Sequence, residues 1–542
     1  MQNANLRRDI FILLIICLAA FWWRLGAIGL VDPDEPFYAQ TAREMIQTGD
    51  WITPRIYGEP QFEKPILYYW LVSASFCVFG ENEFAGRAPT ALFATLLVFL
   101  VYAFGARVLN RRTGMLSALV LATGLEYCVM SRLMLTDIPL AFFLAASIFS
   151  YWFALQPGMK RGPWIFLHIA CGGLAVLTKG PIGSLFPLLA VAAFHLITKA
   201  PVPRSRGGFW AGVLAYVIIV VPWYALMFAW HARQFWEDFF IRDNWLRLFR
   251  AEHPANNHWY YYIGLLFLGS IPWMPAVAVC VKRMRSSFRT DPRQLFIGCW
   301  LVTSLVFLTL VQSKLPSYAF FLFVPLALLV GVALDSLLAE GFRSPAERWT
   351  AISTATLQFA VTFLVPFFKA TKLFATPALF MSAGLGVALV LLAMRRFTPW
   401  VVVTTVTPLL LLGASLTISL PIVDAELSAR QIAAQMLAQR RGDEPLLSGK
   451  FPVRGIIYYT KAPVTVLADK AQPFWAAHPL QVVVWKNDGV EKYFAQHSSA
   501  LCALRSNDIG SLSKKFPFSK SPIIGTYGMN YLVRAATAEK KK

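Results

Sequence analysis

Residues 11–23 read FILLIICLAAFWW, and residues 31–45 read VDPDEPFYAQTAREM. The first stretch is apolar throughout and belongs to a span from about 10 to 30, the length of a membrane-crossing helix. The second places Asp32, Asp34 and Glu35 at or beside a bilayer surface. Taken alone, Asp34 and Glu35 read as caps for a helix over 36–47, with Pro36 at its first position.

Runs like the first recur to about residue 420. They fall near 10–30, 88–106, 114–131, 138–155, 164–178, 181–198, 209–230, 259–280, 294–312, 318–338, 349–368, 377–394 and 400–420. These are about 13 crossings, and helices satisfy every backbone polar group in lipid. The short aromatic segment 65–80, PILYYWLVSASFCVFG, reads as an interfacial helix. Composition agrees, because 57% of residues are apolar and only 15% charged, where soluble domains carry about 25% charge. The fold class is a polytopic α-helical membrane protein.

The net charge of +21 collects in alternate loops. Arg7, Arg8, Arg107, Arg111, Arg112, Lys160, Arg161, Arg204, Arg283, Arg395 and Arg396 fall on one side, which is cytoplasmic by the positive-inside rule. No basic stripe interleaved with aromatics is present, which argues against nucleic acid as a partner. The seven cysteines form no CxxC or zinc spacing. Arg7 and Arg8 lead into the first apolar run with no small-residue cleavage site, so the first helix is expected to be retained.

The opposite side receives 31–87, a loop over 231–258, several tight hairpins and everything after about 420. From 425 the pattern changes. LSARQIAAQMLAQRR reads as an amphipathic helix, and GIIYYT, VTVLA and LQVVVW as short buried strands. The expected division is a membrane domain over 1–424, carrying the large first loop 31–87, and a C-terminal α/β periplasmic domain over 425–542.

Charges on this outer side are few and clustered. Asp34, Glu35, Glu63 and Lys64 lie in the first loop. Arg132 and Asp137 lie in SRLMLTDIPL, Lys179 in LTKGP, and Lys314 and Tyr318 in SKLPSY. Arg247 and His253 lie in the long loop. Ionisable groups near membrane depth are costly and usually functional. Cations suit a phosphate, and carboxylates beside them suit a general base, an electrostatic stabiliser or a cation ligand. The pattern points to chemistry on a lipid-linked phosphate. A transporter or flippase is the competing class, but it would place charges near the bilayer midplane within repeated halves, and no repeat is present.

The succession DEPFYAQTAREM, TGDWITPRIYGEPQFEKPILYYW, LTDIPLAFF, LTKGP, SIPWMP and SKLPSY resembles the bacterial aminoarabinose (lipid A) transferases. That family, with the protein O-mannosyltransferases, belongs to the GT-C glycosyltransferases. The resemblance covers about 1–340. It implies a GT-C fold, multi-pass residence in the bacterial inner membrane and an active site on the periplasmic side. It also implies a polyprenyl-monophosphate sugar donor, with undecaprenyl phosphate as carrier, and lipid A or another glycolipid as acceptor. A protein acceptor is the alternative within the superfamily. Carried over by motif, Asp34 and Asp137 are the catalytic acidic residues. Lys64 and Tyr318 meet the donor phosphate; Arg132, Lys179 and Arg247, as cations on the same outer side, are expected to be further phosphate ligands. Glu35 and Lys314 serve the acceptor side. No cofactor is obligatory, and a divalent cation would sit at Glu63 and His253. A monomer is expected. Three positions depart from the family. Phe37 stands where relatives carry Arg, Gln61 where they carry Tyr before FEKP, and PANNH follows the EH of the long loop where relatives are basic.

Overall fold

The computed structural model describes residues 2–368, 374–469, 482–484, 489–512 and 523–536. Each expected crossing holds helical structure. Nine helices among the described residues are long and apolar enough to cross a membrane, from Glu83–Val108 to Phe397–Thr417. Other spans are short or broken. Arg111–Thr123 and Leu125–Met130 meet at Gly124, and Tyr261–Gly269 and Met274–Thr290 are separated by the SIPW turn. Helix starts follow local chemistry. The Asn110 side chain accepts from Thr113 N, and Ser344 accepts from Glu347 N just ahead of Pro345. Leu67–Phe79 forms the short helix expected over 65–80.

The chain divides into two compact units. The first comprises 1–23, 62–68 and 88–415, and the second 24–61, 69–87 and 416–542. The first loop therefore groups mostly with the C-terminal residues, whereas a boundary at 424 was expected. The expected loop over 231–258 is also largely helical. Arg206–Phe235 breaks its helical geometry at His231 (φ −132°) and continues as a π-helix, Trp236–Leu246. Aromatic packing accounts for this continuation, with Phe235 and Phe239 stacked at 5.4 Å and Phe228 and Phe240 at 5.7 Å.

In the second unit a six-stranded sheet runs in the order Val482–Val484, Val464–Ala468, Leu446–Gly449, Ser499–Arg505, Asn530–Ala536, Ile523–Tyr527. The first four strands are parallel and the last two pair antiparallel. Alternate residues feed opposite faces. Leu446 and Val466 pack with Ile432, Met436 and Ile456, while Leu447 and Cys502 pack with Val490 and Phe494. The α/β expectation holds for this unit, and the helix Arg430–Gln439 and the strand Val464–Ala468 form as read. GIIYYT does not form a strand. It lies in the helix Val453–Thr460, because Val453, Ile456, Ile457 and Thr460 fall on one 3.6-residue stripe and all are buried. Of LQVVVW, only Val482–Val484 falls within the described residues, as a strand.

The first-loop carboxylates hold this unit together. Asp32 accepts from Gly455 N (2.8 Å) and Ala429 N (2.9 Å). Gly455 is required there, since a Cβ would stand 2.5 Å from the Asp32 carboxylate. Glu35 caps the turn before its own helix by accepting from Val31 N (2.6 Å), and it pairs with the fully buried Arg87 (Nε–Oε1 2.9 Å). Arg87 also donates to the carbonyls of Leu25, Ile28 and Gly29. Losing one partner of such a buried pair costs about 3–5 kcal/mol.

Candidate active site

A cavity of about 780 Å³ lies in the first unit. Three cations, Lys64, Lys179 and Arg247, and two carboxylates, Glu63 and Asp243, line it together with Tyr318. Much of the remaining wall is apolar, with Phe186, Trp236, Phe240 and Phe321 prominent. Four sequence segments meet here, each placed by a local rule.

Phe62 is fully buried and packs on His231 and Phe235, at 5.3 Å each. That contact anchors FEKP and sets Glu63 and Lys64 at the cavity wall. Lys64 Nζ donates to its neighbour's carbonyl, Glu63 O, at 2.8 Å. Burial lowers the Lys64 pKa below the ordinary lysine value of 10.5, and the nearby Asp243 carboxylate opposes that shift.

Lys179 closes the helix Arg161–Lys179, and Gly180 turns the chain at φ +104°. A side chain at 180 would be strained by that backbone and would touch the Phe239 ring. The hairpin delivers Lys179 Nζ to Asp137 Oδ1 in a buried ion pair, and the same ammonium stands 4.8 Å from the centre of the Tyr318 ring. Asp137 is the first residue of the helix Asp137–Leu155. It thus both opens a helix and fixes the Lys179 ammonium.

Arg247 follows the π-helix. It donates from Nη1 to the Tyr318 hydroxyl (2.9 Å), and its Nη2 lies 3.4 Å from both Asp243 and Glu252. Asp243 is buried, and its Oδ2 accepts no hydrogen bond among the described residues. Three positive heads, a phenol and an apolar wall in one cavity make a receptor for an anion that carries a long hydrocarbon chain.

Lys64, Lys179, Arg247 and Tyr318, singled out from sequence, are thus brought together, with Asp137 attached through Lys179. Asp243 was not assigned a role from sequence. Its four-residue spacing to Arg247 on a helical segment is the signal that could have found it.

The remaining sequence candidates stand elsewhere. Arg132 does not line the cavity. Its guanidinium donates to the carbonyls of Ala20 (3.0 Å) and Trp23 (2.9 Å). Lys314 is buried and donates to Asn257 Oδ1 (2.9 Å) and Val311 O. Both satisfy protein acceptors rather than facing a ligand space. Glu35 is committed to Arg87 and Val31. His253 is exposed and does not line the cavity with Glu63. Among the described residues, no group of three or more His, Cys, Asp and Glu could hold a metal ion. Asp34 is exposed in the first turn of Asp34–Thr48, in the second unit. At Phe37 the Arg454 guanidinium lies over the ring, 4.8 Å from its centre.

Residues 8–239 match the family model described as dolichyl-phosphate-mannose-protein mannosyltransferase. The chain is 33% identical over 344 residues to an undecaprenyl phosphate-alpha-4-amino-4-deoxy-L-arabinose arabinosyl transferase of Pseudomonas aeruginosa, a match covering 62% of this chain and 61% of the relative. It is 31% identical over 308 residues to the protein of the same name from Erwinia tasmaniensis, covering 56% and 55%. The match thus spans about three fifths or less of these relatives' length. In structure, 99% of the chain superposes on 99% of ArnT from Cupriavidus metallidurans bound to undecaprenyl phosphate, with a TM-score of 0.75 and 22% identity. The apo form of that protein matches with a TM-score of 0.74. The chain thus shares the fold of ArnT, and over about three fifths of its length it is similar in sequence to arabinosyl transferases.

Proposed function

We propose that this chain is a membrane glycosyltransferase that moves a sugar from a polyprenyl-monophosphate donor to lipid A. The reaction is placed on the periplasmic face of the inner membrane. The carrying observation is the cavity in which Lys64, Lys179 and Arg247 stand with Tyr318 against apolar walls. An arabinosyl transferase at 33% identity and a structural neighbour bound to undecaprenyl phosphate support the same donor class.

The bond between the anomeric carbon and the donor phosphate oxygen breaks, and an acceptor oxygen bonds to that carbon. The polyprenyl phosphate leaves with the electron pair of the broken bond. Its charge grows as the bond lengthens, so fixed cations at the phosphate lower the barrier. Lys64 and Arg247 are the phosphate ligands in this scheme. Lys179, held by Asp137, is the third cation, and Tyr318 orients Arg247 through its hydroxyl. Asp34 serves the acceptor side. A lipid A phosphate arrives ionised and needs no base, so Asp34 then orients the acceptor. A hydroxyl acceptor would need it as general base.

The test is transfer by the full chain in lipid vesicles containing undecaprenyl-phosphate aminoarabinose and lipid A, read by mass spectrometry. One added aminoarabinose on lipid A is expected, and Asp34→Asn should abolish it. Unmodified lipid A beside a sugar-bearing protein or other glycolipid would reassign the acceptor. No product from any acceptor would remove the proposal.

A further inference from the structure

A second cavity, of about 590 Å³, opens in the first unit. Arg107, Trp152, Phe153, Gln156, Asp291 and Arg293 line it. Its depth in the membrane follows from helix ends. Asp137–Leu155 starts beside the first cavity, which Leu140 lines, and Gln156 caps its other end. Pro292–Leu310 runs the opposite way. Its capping residue Asp291 lies at the second cavity, while Leu308 and Val311 line the first. Each helix has 19 residues, hence about 28 Å of rise. That nearly equals the hydrocarbon thickness of a bilayer, about 30 Å. The two cavities therefore open at opposite membrane surfaces, and the second lies at head-group level of the far leaflet.

Charge in the second cavity is unbalanced. Two arginines stand against one aspartate, a net of one positive charge. Asp291 is committed to its own neighbours. It accepts from Arg293 Nε (2.9 Å) and Nη2 (2.8 Å), and from Gln294 Nε2 (3.1 Å). Arg293 Nη1 donates to Val108 O (3.1 Å), which ties this pair to the end of Glu83–Val108. Arg111 pairs with Asp9, and Arg112 with Asp335. Arg107, in the last turn of Glu83–Val108, is exposed, and its guanidinium has neither a carboxylate partner nor a hydrogen-bond acceptor among the described residues. An open guanidinium offers a bidentate seat for a phosphate.

Apolar surface leads away from Arg107. At about 100° per residue, Leu92, Leu96, Ala103 and Arg107 fall on one stripe of Glu83–Val108, and all four are exposed. From Arg107 to Leu96 the helix rises about 16 Å, the hydrocarbon depth of one leaflet. An acyl chain can lie on this stripe while its phosphate meets Arg107. A zwitterionic head group would bring its own cation beside two guanidiniums. An anionic one brings a phosphodiester for Arg107 and hydroxyls that suit the Gln156 amide.

We infer that this cavity is a site for an anionic phospholipid of the leaflet opposite the first cavity, with the lipid phosphodiester on Arg107. Basic pockets between membrane helices are suited to such head groups. A lone snorkelling cation, in contrast, would show no preference among head groups. The test is native mass spectrometry of the full chain in detergent, titrated with dioleoyl phosphatidylglycerol. Dioleoyl phosphatidylethanolamine and glycerol 3-phosphate are run in parallel. A saturable phosphatidylglycerol adduct is expected, about tenfold tighter than phosphatidylethanolamine and about tenfold weakened by Arg107→Gln. The Arg107 guanidinium holds no protein partner, so this variant keeps the fold. Arg396→Gln removes an exposed cation outside the cavity and should leave the affinity unchanged. Lys64→Met, in the first cavity, should leave it unchanged as well. Equal affinity for phosphatidylethanolamine, parental affinity in Arg107→Gln, or an equal loss in Arg396→Gln would overturn the inference. So would displacement of the lipid by an equal concentration of glycerol 3-phosphate, which would make this a site for soluble phosphates. Loss of the adduct in Lys64→Met with parental affinity in Arg107→Gln would place the lipid in the first cavity instead.

Discussion

Lys64→Met removes one charge from the cavity wall and keeps most of the side-chain volume. Two unit charges about 4 Å apart interact by roughly 4 kcal/mol at an effective dielectric of 20. Lys179 and Arg247 remain in the cavity and take up part of the loss. Removing one fixed donor from a developing anion costs about 3–4 kcal/mol in comparable sites. A fall of about 10²–10³-fold in kcat/KM is therefore expected. Stability should move the other way. Burial depresses the Lys64 pKa, so the folded state holds this proton less tightly than the unfolded chain. Its charge costs folding energy below the depressed pKa, and the cost is relieved as pH rises towards 10.5. The variant should thus melt at or above the parental temperature at neutral pH. Parental turnover, by contrast, should fall as pH rises through the depressed pKa, earlier than an ordinary lysine would allow. The assay pairs sugar transfer in vesicles with thermal unfolding in detergent. Parental transfer would refute the phosphate role, and joint loss of transfer and fold would make Lys64 a structural residue.

Asp137→Asn should leave the buried Lys179 ammonium without its carboxylate and cost about 3–5 kcal/mol of stability. The double variant Asp137→Asn/Lys179→Met should recover stability in thermal unfolding without recovering transfer. Tyr318→Phe removes the acceptor of the Arg247 hydrogen bond and should slow transfer about three- to tenfold with the fold intact. Arg132→Gln strips donors from the Ala20 and Trp23 carbonyls and should lower stability by about 1–3 kcal/mol with the donor KM unchanged. Transfer should survive chelation by EDTA, and loss restored by a divalent cation would assign a metal role.

The membrane fold was legible because apolar runs near 20 residues have few alternatives in lipid. The lining of the first cavity was partly legible. Lys64, Lys179, Arg247 and Tyr318 were singled out as charged or polar groups in loops and hairpins on one predicted side, and the structure brings all four to one cavity. Arg132 and Lys314 carried the same signal and serve protein acceptors instead, a difference that depends on which carbonyl lies within reach. Nor does hydropathy report long-range partners. Glu35 looked like a site carboxylate or a cap, and Asp32 like a carboxylate at the bilayer surface, and their bonds to Arg87 and Gly455 appear only once the first loop and the C-terminal residues fold together. The helix at GIIYYT and the π-helix after Phe235 were hidden for a similar reason. Branched or aromatic runs suit a strand or a loop locally, and packing decides otherwise.

The central claim is that the first cavity delivers a sugar from a polyprenyl phosphate. Its most direct measurement is a single-turnover reaction of the full chain with undecaprenyl-phosphate aminoarabinose and lipid A, following both products by mass spectrometry. One undecaprenyl phosphate released for each sugar gained by lipid A, with both signals lost in Lys64→Met, is the predicted result. Undecaprenyl phosphate released without a glycosylated product, or sugar transfer at the parental rate by Lys64→Met, would contradict it.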